Sequence, residues 1–163
     1  MKRLILILLV LVFVLSSCDR PTYGILEYQD RNIEAQCQIN EKFKCILEKK
    51  EGELTLKILE PTELNTVSFV INDNGALAIS KDIKIPLEKE SIDGIYALVT
   101  VLCLNETELS SAREGENGDA VLTFLNERGQ YTLQIGKNQM PKSAEITGDG
   151  YHYKITFESI KVN

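Results

Sequence analysis

The chain has 163 residues, with 18 basic against 24 acidic side chains and a net charge of -6. That length supports one domain with a buried core, and a pI near 4.9 argues against a nucleic-acid partner. One His and no Trp exclude a multi-histidine metal site, make a Ser-His-Asp machine a poor reading, and remove the usual aromatic platform for sugars or bases.

The chain opens with Met1-Lys2-Arg3 and then twelve consecutive apolar residues, Leu4 to Leu15. A membrane-spanning helix needs about 20, so the run fits the apolar region of an export signal. It ends in Leu15-Ser16-Ser17-Cys18, which resembles the lipobox of bacterial lipoproteins: an aliphatic residue, two small ones, and the Cys that is diacylated and becomes the mature N-terminus. Residues 1–17 are therefore expected to be a removable signal. Their loss takes Lys2 and Arg3 and leaves 146 residues with 16 basic against 24 acidic side chains, a net of -8. Anionic membranes repel so acidic a body. Its partner at the membrane is then a diacylglyceryl anchor on Cys18, whose two chains suffice for stable attachment. Residues 18–31 read as lipidated N-terminus and tether, and 32–163 as a single β domain.

In that body, Ile33, Ala35, Cys37 and Ile39 alternate with Glu34, Gln36 and Gln38, a period of two with one wet face. After a turn at Asn40-Glu41-Lys42, Phe43, Cys45 and Leu47 alternate in the same way, and Leu54, Leu56 and Ile58 run to Pro61. Val67, Phe69 and Ile71 lead into Asp73-Asn74-Gly75, a strong hairpin signal, followed by Leu77, Ile79, Ile83 and Ile85. From Ile92 the period becomes three and four, through Ile95, Tyr96, Val99, Leu102 and Cys103, predicting a helix over 90–104 that Ser91 could cap. Residues 105–119, acidic and Gly-rich, read as a solvated connection. Strands resume at Ala120–Leu125, Tyr131–Ile135, Ala144–Ile146 and from Tyr151 onward, with a parity slip at Glu158-Ser159 that predicts a bulge or the strand's end. Eight or nine strands in successive hairpins with one helix give a mainly β (α+β) fold. It is a strongly curved antiparallel sheet or incomplete β-barrel with the helix on its concave side.

This order of elements resembles the lipoprotein carrier and receptor superfamily of LolA and LolB. Leu54 to Pro61 is similar to its strand ending in Pro, and Phe69 to Ile79 to its short-turn hairpin. Met140-Pro141 through Asp149-Gly150 to Phe157-Glu158-Ser159-Ile160 is similar to its closing strand pair. The resemblance spans roughly residues 30–163. It implies an open barrel with helical material over an apolar cavity and a role in carrying lipid-modified cargo.

Within the chain, Cys37 and Cys45 fall opposite one another if Glu41 centres the turn. Two readings stay open: a disulfide in an oxidising compartment, or two reduced thiols acting as small hydrophobes. Cys103 reads as an unpaired core residue and His152 as a surface residue. The carboxylate pairs Glu27 with Asp30 and Glu114 with Asp119 carry no mark that separates them from solvated charge. No metal or cofactor is expected. By parity, Phe43, Leu56, Phe69, Ile71, Leu122 and Phe124 share the apolar sheet face, and Ile95 and Val99 the inner face of the helix. These eight are the candidates for a ligand cavity between sheet and helix. The expectation is a membrane-anchored extracytoplasmic lipoprotein, not an enzyme, that binds a lipid or other apolar ligand. The alternative is a solid-core lipoprotein that docks an envelope protein through a sheet edge or the 105–119 loop.

Overall fold

The computed structural model describes residues 31–88 and 92–163. The first half forms β1 (Ile33–Ile39), β2 (Phe43–Lys50), β3 (Glu53–Glu60), β4 (Val67–Asn72), β5 (Gly75–Ser80) and β6 (Ile83–Leu87), with burial that alternates most cleanly on β1. Helix α1 (Asp93–Thr100) follows. Then come β7 (Leu109–Glu114), β8 (Ala120–Asn126), β9 (Gly129–Ile135), β10 (Pro141–Gly148) and β11 (Tyr151–Val162). All eleven strands form one antiparallel sheet in the order β6-β5-β4-β3-β2-β1-β11-β10-β9-β8-β7. Each neighbouring pair is a hairpin except β1 with β11, which joins two meanders at the centre of the sheet. β6 and β7 are left as edges, so the sheet is not closed.

One face of this sheet holds the core. Ile33, Ala35, Cys37 and Ile39 on β1 are at most 4% exposed, while Gln36 between them faces solvent. The register carries the pattern across neighbours: Ala35 lies opposite Leu47, Leu47 opposite Leu56, and Leu56 opposite Phe69. On the other flank Ile146 lies opposite Tyr131, and Tyr131 opposite Phe124. The register of β11 on β1 skips from Ser159 to Phe157 across Gln36/Cys37. The extra residue, Glu158, is the bulge expected from the parity slip. It restores Ile160 and Val162 to the apolar face.

Helix α1 packs against β3 and β10, with β2, β1 and β11 lying between those strands. Four strand spacings come to about 19 Å, whereas a helix of eight residues is about 12 Å long. A sheet curled with its apolar face toward the helix brings both strands within its reach. The helix is shorter than the expected 90–104. Its N-cap is Ile92, which makes no side-chain capping bond, and Ser91 lies outside the described residues. At its C-terminal end the Thr100 hydroxyl bonds back to the Tyr96 carbonyl at 2.7 Å, and Leu102 and Cys103 close a tight turn onto Val99 and Thr100. The apolar periodicity of 101–104 belongs to that buried turn.

The connection read into 105–119 contains an edge strand, β7. Leu109-Ser110-Ser111-Ala112-Arg113-Glu114 is small and polar because an edge strand needs little apolar surface. Its register on β8 slips at Ser110, a bulge that blunts the edge. Among the described residues no helix is long and apolar enough to cross a membrane.

Candidate functional site

The concave face divides into a filled part and an open part. Beneath α1 it is filled: Val99, Phe124 and Tyr131 are 0% exposed, and Leu56, Ile71 and Leu122 are buried beside them. Phe69 and Ile95 are half-buried against the same cluster. Seven of the eight cavity candidates therefore meet in or against one core. Phe43 stands apart at the start of β2, 36% exposed.

The open part lies over β4–β6. Register places Ala78 opposite Phe69 and Ile85 opposite Ala78, with Ile83 opposite Ser80 and Ser80 opposite Val67. Ile83 and Ile85 therefore share the core face of the sheet, yet they are 63% and 54% exposed. Leu64, in the short turn between β3 and β4, is also exposed. Among the described residues a shelf of large apolar side chains is left exposed at this corner. Lys84 and Pro86 point to the opposite face of β6. A charge and a missing N–H donor are the usual means of keeping an edge strand from pairing. The alternation of Ile83 and Ile85 was visible in the sequence. That their strand would be an edge beyond the helix was not, because it depends on how far the crossover reaches.

The rim where α1 begins is held by aromatic and charged contacts. The Arg128 guanidinium lies 3.7 Å from the centre of the Tyr96 ring and 3.8 Å from the Asp93 carboxylate. The Tyr151 hydroxyl donates to the Arg128 carbonyl, and the Tyr151 and Tyr153 rings stack at 5.6 Å. Gly94 sits so close to the Tyr153 hydroxyl that a Cβ there would lie 2.4 Å from it. Deeper in, the Tyr131 hydroxyl is buried with no hydrogen-bond partner among the described residues. Burial, reinforced by Tyr151, pushes it up to about 12.

The outer face is polar over β9–β11, while over β4–β6 it carries Val70, Leu77, Ile79 and Pro86. His152 is 49% exposed; its Nε2 lies 3.2 Å from Glu145 and its Nδ1 lies 3.2 Å from the Thr147 hydroxyl. An open groove of about 390 Å³ crosses this face, lined by Arg113, Thr132, Gln134, Glu145 and Lys154 among others. Asp119 belongs to a structural ion pair: Lys142 donates to both of its oxygens at 2.8 Å and Gln134 to one at 2.9 Å. Lys142 is the first cause holding its carboxyl below the ordinary value. Glu114 is exposed on β7. Among the described residues no three His, Cys, Asp or Glu side chains come together as a metal site.

Cys37 and Cys45 are direct register partners across β1 and β2. Both are buried and both are free thiols. Cys103 is a half-buried free thiol in the turn after α1. Cys18 and the whole 1–30 segment lie outside the described residues.

No family model matches the chain, and no curated protein matches it. Among solved structures it is similar to an uncharacterized conserved protein from Thermus thermophilus, at 12% identity over 85% of this chain and 83% of that one, with a TM-score of 0.49. It is also similar to a putative outer membrane lipoprotein-sorting protein domain from Vibrio parahaemolyticus, at 8% identity over 86% and 92%, with a TM-score of 0.44. A third likeness is to a LolA superfamily protein from Nitrosomonas europaea, at 9% identity over 86% and 92%, with a TM-score of 0.40.

Proposed function

We propose that the chain is a membrane-anchored extracytoplasmic lipoprotein, held by a diacylglyceryl group on Cys18. Its LolA-like sheet then receives a lipid chain or other apolar group without catalysis. The observation that carries this reading is the exposed shelf on the core face of β6: Ile83 and Ile85 at 63% and 54% exposure. Side chains of this size gain about 1.5–3 kcal/mol each when they pass from full exposure to full burial. An elongated apolar ligand laid along β4–β6 would collect a good part of that from each. The groove on the outer face is lined by Arg113, Glu145 and Lys154 as well as Val121, so charge flanks any ligand there. The tether of residues 18–31 spans at most about 50 Å, enough to let the body work clear of the bilayer surface.

The experiment titrates a form beginning at residue 19 with a fluorescent fatty acid, beside Ile83→Glu and Ile85→Glu. Saturable binding that weakens at least tenfold in both variants supports the reading. A protein that binds no acyl probe and carries no lipid from the cell would sink it. In that case the filled interior around Val99 and the exposed apolar edge favour the second reading, a protein partner in the envelope docking on the same shelf. Cys18→Ala should move the full chain from the membrane fraction to the soluble one; unchanged membrane association would refute anchoring through Cys18.

A further inference from the structure

We propose that Cys37 and Cys45 become a cross-strand disulfide during folding outside the cytoplasm, and that the folded core then seals the pair from further thiol exchange. This rests on the extracytoplasmic reading above.

The geometry comes from the register. Cys37 lies directly opposite Cys45, and the ladder around them runs unbroken from Ile33 opposite Lys49 to Ile39 opposite Phe43. Directly opposed residues of an antiparallel pair have Cα atoms about 4.5 or 5.5 Å apart, depending on the pair type. Both values fall inside the range of about 4.4–6.8 Å that disulfides occupy. Both side chains point to the same buried face, at 0% and 1% exposure. Cys103 belongs to the turn after α1, so the register selects one pair from three thiols.

The same burial fixes when the bond can form. Exchange needs a thiolate that a disulfide donor can reach. In the folded protein burial pushes Cys37 up to about 12, with Cys45 adding to it, and pushes Cys45 up to about 11. Neither thiol is accessible or ionised there near neutral pH. In the open chain both can be reached, and a fraction of each is thiolate. One thiolate attacks a small-molecule or protein disulfide, forming a mixed disulfide and releasing a donor thiolate. The second cysteine thiolate then displaces the other donor sulfur. The products are the Cys37–Cys45 bond and two donor thiols, which carry the two protons the cysteines gave up. The pair is oxidised by two electrons and the donor reduced by two.

The test has three arms, all on the mature protein with Cys18 lipidated, so that three thiols remain to be counted, and all read by mass after alkylation in denaturant. In the first, unfolded reduced protein is refolded in a buffer of oxidised and reduced glutathione. Protection of Cys37 and Cys45, with Cys103 labelled, is expected; labelling of all three overturns the pair. In the second, folded reduced protein meets oxidised glutathione without denaturant. Oxidation at least a hundredfold slower than in denaturant is expected, and equal rates overturn the sealing. The third arm takes protein straight from cells. If refolded protein forms the bond but cellular protein labels at all three cysteines, oxidation in the cell fails and the extracytoplasmic reading fails with it. A Cys37→Ala/Cys45→Ala variant that shows no protected pair confirms the assignment. Protection persisting in that variant overturns it.

Discussion

The two flanks of the sheet use their apolar residues differently. On the β8–β11 flank, Phe124, Tyr131 and Ile146 are 0% exposed, and Leu122, Leu133 and Ile155 are nearly so. On the β4–β6 flank only Ile71 is fully buried, while Ile83 and Ile85 stand open. The edges match this division. β7 is built of small and charged residues with a bulge at Ser110, whereas β6 keeps two isoleucines on its concave side and relies on Lys84 and Pro86 behind them. On their core faces, one flank is closed and the other leaves apolar surface exposed; Leu125, at 59%, is exposed on the outer face of the closed flank.

The sharpest way to break this comparison is Phe124→Ala. Emptying a fully packed site should cost about 3–5 kcal/mol in chemical denaturation. A cost under about 1 kcal/mol would mean that the covered flank is not the stabilising one. A high-pH experiment comes next. The folded reduced protein keeps the protons on Cys37 and Cys45 up to about 12 and 11, against an ordinary value of 9.0. The unfolded chain loses them from about 9 upward. Above that pH the unfolded state therefore binds fewer protons, and stability falls as pH rises toward 12. Tyr131 has the same sign, from 10.0 toward about 12. The loss in reduced protein is on the order of a few kcal/mol for each of the three groups by pH ~12. A bonded Cys37–Cys45 pair should show only the Tyr131 part, and equal alkaline loss in both redox forms would contradict the burial of the thiols.

Smaller effects sharpen the boundary between the flanks. Arg128→Ala removes a partly desolvated cation–π contact with Tyr96 and the pairing with Asp93, and should cost about 1–2 kcal/mol. If it costs nothing, the start of α1 is held by packing alone. Ile83→Glu and Ile85→Glu should change stability by less than about 0.5 kcal/mol, as exposed positions do, while their effect on acyl binding is large. A large destabilisation there would make the shelf part of the core.

Most of the sheet was legible because its signals are local. Alternation found the core face of β1–β4 and β8–β11, Asn74-Gly75 marked a hairpin, and the parity slip at Glu158-Ser159, read as a bulge or a strand end, is a bulge; on β5 the apolar Leu77 and Ile79 face outward and Ala76 and Ala78 face the core. The opposition of Cys37 and Cys45 followed from the position of a single turn. What escaped depends on distant parts of the chain. β7 was hidden because its residues lack alternation and draw their strand character from pairing with β8. The helix was overdrawn because Val101, Leu102 and Leu104 are buried by the crossover turn, and burial in a turn mimics helical periodicity. The open shelf needs both the strand order and the reach of α1, and no local pattern encodes either.

The pairing of β1 with β11 has a consequence for how the chain assembles. The backbone N–H of Asn163 bonds to the Asn32 carbonyl at 2.9 Å, so the two ends of the folded body are neighbours in space. A chain joined there and opened between β6 and α1 would lay down β7 through β11 and then β1 through β6 in simple succession. Every ladder would become a hairpin. The native order instead requires one ladder between the first and last strands, closed across nearly the whole body, before the two meanders become one sheet. Long-range closure of this kind slows folding, and it leaves the β1–β2 hairpin, with its two cysteines, open to its surroundings until the last strand arrives.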